Sequence, residues 1–159
     1  GKGTRPEDLN NVHGGMVDTS DPAQPVLILC SRADHALKLF TLDGKHLKNQ
    51  VLPGLRLCQI KKQGDFYFAP SLNGIVSVLD QDLNPISHLG GSAPEKDENG
   101  NWKPCHQVDL QGQAMTASQN KNQSLFIHPH GIWADSDLNL YVAQWKSGSS
   151  YPMKLEPVN

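Results

Sequence analysis

His130-Gly131-Ile132-Trp133-Ala134-Asp135, then Asp137-Leu138-Asn139-Leu140-Tyr141-Val142-Ala143, then Tyr151-Pro152-Met153-Lys154-Leu155: this closing stretch decides the fold. Each piece reads as a short strand, and the joints between them carry turn residues. The same pattern stands near the start of the chain. His13-Gly14-Gly15-Met16-Val17-Asp18 leads to Val26-Leu27-Ile28-Leu29-Cys30 and Ala36-Leu37-Lys38-Leu39-Phe40. A fourth strand around Lys45-His46-Leu47 follows the turn Leu42-Asp43-Gly44, where Asp-Gly supplies the positive φ of a tight hairpin. A unit of about 40 residues with three or four strands is the signature of a β-propeller blade.

A second copy lies between them. Gly64-Asp65 opens Phe66-Tyr67-Phe68-Ala69, Asn73-Gly74 turns into Ile75-Val76-Ser77-Val78-Leu79, and Asp82-Leu83-Asn84 turns into Pro85-Ile86-Ser87-His88-Leu89. Phe40 and its counterpart Leu79 are 39 residues apart, one blade step. The expectation is an all-β propeller fragment: blade one over 12–50, blade two over 51–90, blade three over 128–159 and lacking its outer strand. The polar stretch 91–127 reads as an insertion loop with Trp102 and Met115 as its large apolar anchors. It is too long for a routine connection and reads as a surface excursion or a cover over one mouth of the ring. Three blades do not close a ring. The outer flanks of blades one and three are therefore expected to be bare, and a missing outer strand leaves a raw sheet edge.

Bulk properties exclude several classes. A net charge of −2, with Lys61-Lys62 as the longest cationic cluster, leaves no nucleic-acid footprint. No apolar run reaches the roughly 20 residues of a membrane-spanning helix. There is no Gly-x-Ser-x-Gly elbow, phosphate loop or dinucleotide fingerprint; Ser147-Gly148-Ser149-Ser150 reads as a flexible turn. The three cysteines, Cys30, Cys58 and Cys105, have no CxxC spacing, so neither a zinc ribbon nor a redox pair is indicated. Cys30 reads as a small core residue, and Cys105 as a loop residue without an evident partner. The redox compartment stays open.

The opening Gly1-Lys2-Gly3-Thr4-Arg5-Pro6 before Val12-His13-Gly14, the strand start Pro129-His130-Gly131-Ile132, and Ser31-Arg32-Ala33-Asp34-His35-Ala36-Leu37-Lys38-Leu39-Phe40 together resemble the NHL-repeat six-bladed β-propellers. The resemblance covers blades one and three well, blade two loosely, and fails across 91–127. It implies that residues 1–11 are an inter-blade linker and that the chain is the C-terminal half of a ring. The partners it implies are the missing N-terminal blades of a longer protein or a second copy of the chain. A protein, peptide, carbohydrate or other small ligand is expected at a ring mouth. Export to the periplasm or beyond is implied by resemblance alone.

His13 and His130 hold the same place in the repeat, at the start of each innermost strand, and their imidazoles are expected to point towards the axis or one mouth. Neutral imidazole is a zinc ligand, and three such ligands plus water make a catalytic site. The peptidyl-hydroxyglycine amidating lyases, which look similar, hold zinc in this way. The resemblance therefore carries an alternative, a metal-dependent lyase or hydrolase with His13 and His130 among the ligands and zinc or calcium as its metal. Blade two offers Leu57-Cys58-Gln59-Ile60 in place of a histidine, and the lyase's arginine and tyrosine find no matching positions, so no catalytic residue is assigned. The structural reading of both histidines is that they fix the strand starts by hydrogen bonding. His106 and His128 are weaker candidate ligands. Asp18, Asp21, Asp135 and Asp137 read as turn carboxylates. Trp133 reads as packing between blades. Trp102, Trp145 and Tyr151 are the candidate binding residues, and a non-catalytic binding or assembly module is the leading functional expectation.

Overall fold

The turns set the architecture. Asp-x-Asp-Leu-Asn occurs at 80–84 and at 135–139, and in both turns the first Asp Oδ1 accepts the backbone N–H groups two and four residues on, at 2.8–3.0 Å. These are the turn carboxylates expected of Asp135 and its like. Between such turns run short apolar segments rich in β-branched and aromatic residues, and no α-helix forms among the described residues. The structure, a computed structural model, describes residues 3–102, 125–145 and 151–158.

Among the described residues three antiparallel sheets result. The first comprises β1 (Val12–Asp18), β2 (Val26–Ser31), β3 (Ala36–Thr41) and β4 (His46–Val51), in that order. The second comprises β5 (Lys61–Gln63), β6 (Phe66–Ser71), β7 (Ile75–Leu79) and β8 (Pro85–Leu89). The third comprises β9 (Pro129–Ala134), β10 (Leu140–Gln144) and β11 (Met153–Leu155), with β10 central. This is a propeller fragment of three blades. The third strand of blade three is shorter than expected, since Tyr151 and Pro152 lie outside β11.

Each sheet gap is an apolar layer. Ile28, Cys30 and Leu37 of sheet one pack with Tyr67, Ala69, Ile75 and Leu79 of sheet two, joined by Leu52, Leu55, Leu57 and Ile60 of the connection between them. Phe68 and Val76 of sheet two pack with Ile132, Ala134, Leu140 and Val142 of sheet three, joined by Phe126. Sheet two is thus covered on both faces, which is why 67–77 is a continuous buried run.

A repeated clamp fixes how each connection enters its sheet. Ser31 Oγ, at the end of β2, accepts the Asn10 N–H, and Ser71 Oγ, at the end of β6, accepts the Arg56 N–H, both at 2.9 Å. Gln144 Oε1, at the end of β10, accepts the Ile127 N–H at 2.6 Å. In each copy the next backbone N–H then reaches back to the entering chain: Arg32 to Asn11, Leu72 to Arg56, and Trp145 to His128. Three different stretches are so delivered to the same corner of the fold.

Two expectations are corrected here. Trp133 does not pack into the layer between sheets two and three; it is 61% exposed, on the face of β9 opposite Ile132 and Ala134, with only the Lys61 ammonium of β5 over its ring among the described residues. Blade one's outer flank is not wholly bare either. Residues 5–9 lie against it, with Lys38 Nζ donating to the Pro6 and Asp8 carbonyls and Asn49 Nδ2 donating to Pro6.

Candidate functional site: the mouth at the strand starts

Register shows which residues are equivalent. Val12 faces Ser31, Leu57 faces Ser71, and Pro129 faces Gln144, so His13, Cys58 and His130 hold one position in three successive blades. The structure brings His13 and His130 together, edge to face, with ring centroids 5.6 Å apart. His13 Nε2 donates to Asn11 Oδ1 at 3.0 Å. Gly14 N–H donates to the Cys58 carbonyl at 2.8 Å, and a Cβ at Gly14 would sit 2.9 Å from that oxygen, so the residue after His13 has to be glycine. Gln59 Oε1 accepts the Ile132 N–H at 2.7 Å and ties β9 to the segment leading into β5.

Arg32 was not a candidate from sequence, yet it organises this corner. It sits in the 3₁₀ turn after β2 and is 8% exposed. Its Nε donates to the Leu57 carbonyl at 3.1 Å, and its terminal nitrogen lies 3.0 Å from Cys58 Sγ. Leu72 and Trp145 occupy the same place in the other blades, so the repeat position does not mark Arg32; its guanidinium contacts do. Burial pushes the Cys58 thiol up, and Arg32 pulls only part of that back. Cys30, pushed up to about 12 by burial, is inert. Both cysteines are free.

Electrostatics keeps both imidazoles neutral. Burial lowers the His13 and His130 pKa values below the usual histidine range, and the Arg32 charge lowers them further; His130 adds to the effect on His13. For a depressed histidine the unfolded chain binds protons first as pH falls, so stability is lost on acidification below about 6.5. Melting between pH 7.5 and 5 should show a drop of a few degrees, and His13→Asn with His130→Asn should flatten part of it. His88, also lowered by burial, supplies a remainder that neither substitution touches.

The other expected residues fall around this corner. Trp145 follows β10 and is 50% exposed, with its ring 5.8 Å from that of His128. His128 itself is buried at 3%, directed to Trp145 and away from the surface. Tyr151, 82% exposed, lies at the same end of sheet three as Trp145, because Val142 pairs with Met153 in antiparallel register. Trp102 docks on Gly54 and His35, ring centroids 6.3 Å apart, at the matching end of blade one. Cys105, His106, Met115 and Ser147-Gly148-Ser149-Ser150 lie outside the described residues.

The opposite ends of the strands are structural. Asp18 accepts from the Tyr67 hydroxyl and from Ser20, and Lys62 Nζ lies 3.5 Å from its carboxylate, linking sheets one and two. Burial and this carboxylate raise the Tyr67 pKa.

Two adjacent imidazoles are part of a three-ligand set, but among the described residues no group of three or more His, Cys, Asp or Glu could hold an ion. Cys58 is turned to Arg32. The residues described do not by themselves fit a resident catalytic zinc or calcium. No helix among the described residues is long and apolar enough to cross a membrane. No family model and no curated protein matches the chain.

Proposed function

We propose that the chain is part of an NHL-type β-propeller serving as a binding and assembly module, with a peptide or carbohydrate held at the mouth formed by the strand starts. One observation carries the reading. His13, His130, Trp102, Trp145 and Tyr151 come from blades or connections far apart in sequence, yet all lie at the same end of the three sheets. Exposed indole and phenol rings beside neutral imidazoles offer stacking faces and hydrogen-bond partners for an uncharged or weakly polar ligand. Among the described residues nothing there is arranged as nucleophile and base.

The test is a titration of tryptophan emission with a panel of short peptides and neutral oligosaccharides. A saturable change in the wild type, weakened about ten-fold or more in Trp145→Ala, is expected for an aromatic anchor at a binding site. The edge-to-face imidazole pair favours the second reading, a metal-dependent lyase or hydrolase whose remaining donors lie beyond those described. Flat titrations, together with one zinc per chain surviving dialysis in the wild type but not in His13→Ala, would replace the first reading with the second.

A further inference from the structure

The sheets are related by a strict register, and each carries two rows of side chains, one per face. Facing onward along the chain are Met16–Ile28–Leu39 in sheet one, Lys61–Phe68–Val78 in sheet two and Trp133–Tyr141–Lys154 in sheet three. Facing back are Val17–Leu27–Phe40, Lys62–Tyr67–Leu79 and Ala134–Leu140–Leu155. The onward row of sheet one packs on the backward row of sheet two: Met16, Ile28 and Leu39 share a cluster with Tyr67 and Leu79. The onward row of sheet two packs on the backward row of sheet three: Phe68 and Val78 share a cluster with Ala134, Leu140 and Leu155. One type of junction is therefore used twice.

One row of each kind is left over. On sheet three Trp133 is 61% and Tyr141 39% exposed, with Lys154 exposed beside them; among the described residues only Lys61 Nζ caps the indole, 4.3 Å from its centroid. On sheet one Val17 is 45% exposed and Leu27 half-buried, while Phe40 is screened by His46 and residues 5–9. We infer that the onward face of sheet three docks on the backward face of sheet one in a second copy of the chain, head to tail. The occupant is named by continuity: it is the same pair of faces that the chain joins twice within itself. The inference rests on the assembly half of the proposed function. A head-to-tail contact uses two different patches, so according to its rotation it builds an open string or a closed ring, of which two copies related by 180° are the smallest.

The experiment is sedimentation of the whole chain over a concentration series, with Trp133→Glu and Leu27→Glu, each checked for folding by circular dichroism. Wild type should associate, and each variant alone should do so roughly ten-fold or more weakly, because each lacks one of the two patches. Their equimolar mixture should recover a heterodimer, since one variant keeps its backward face and the other its onward face. Association that Leu27→Glu leaves intact, or that the mixture does not restore, would overturn the head-to-tail contact. So would a wild type that stays monomeric at several hundred micromolar. The mouth titration separates the two failures: a monomer whose Trp145-dependent emission change persists loses the docking and keeps the binding site.

Discussion

Phe126→Ala should destabilise the protein by about 3–5 kcal/mol, the range for truncating a fully buried aromatic. Phe126 is 0% exposed and belongs to the apolar cluster between sheets two and three, yet it lies on neither sheet. It is the plug of the connection that enters β9. Gly90 shows how tightly it fits: a Cβ there would lie 2.5 Å from the phenyl ring. Two losses combine in the alanine variant, the transfer of the ring and a cavity whose walls are β-strands that relax little. Urea unfolding followed by fluorescence and by far-ultraviolet dichroism measures it. Because His130 lies four residues on, the variant should also loosen the mouth, so Trp145-dependent ligand binding should weaken with stability. A loss below about 1 kcal/mol would mean that this connection is not part of the core.

That residue also shows where sequence reading ends. Strand periodicity and Asp-Gly, Asn-Gly and Asp-x-Asp-Leu-Asn turns are local signals, and they placed the strands of sheet one and the last three of sheet two, but not the short β5, Lys61–Gln63. The pairing of His13 with His130 was legible because a repeat puts equal positions at equal places. Phe126 was not. It stands at the end of a polar stretch with no period of its own, and its burial depends on a gap between sheets that only the assembled fold creates. Arg32 failed to stand out for a similar reason, since its partners Leu57 and Cys58 are about one blade away in sequence. Trp133 reads as core because a large aromatic on an inner strand ordinarily is, but its ring lies on the face of β9 opposite the sheet two–sheet three cluster, and strand period alone does not say which face that cluster takes.

Lys38→Met should cost about 1–3 kcal/mol, because it removes a buried ammonium that is hydrogen-bonded to a half-buried carboxylate and two carbonyls. Lys38 sits mid-strand in β3 with its side chain 5% exposed. Its ammonium lies 2.7 Å from Asp34 Oδ2 and donates to the carbonyls of Pro6 at 3.2 Å and Asp8 at 2.5 Å. Methionine keeps the aliphatic stem but leaves a carboxylate and two carbonyls without that donor. Residues 5–9 should then lift from the flank, and cleavage after Glu7 by a glutamyl endopeptidase should accelerate before global unfolding. The pH dependence gives an independent signature. Burial pushes the Asp34 carboxyl up, but hydrogen bonds from Lys38, Asn10 and Ser31 outweigh it and hold the group below the usual carboxylate range. A depressed carboxylate stabilises above its unfolded pKa of about 4, and that stabilisation disappears as pH falls through the lower folded value. Wild type should therefore lose stability as pH falls below about 4, and Lys38→Met should show a smaller acid-dependent loss. Asp34→Asn in the Lys38→Met background should recover part of the deficit, since it removes the unpaired charge. Additive losses in that double variant would show that the two groups do not act as a pair.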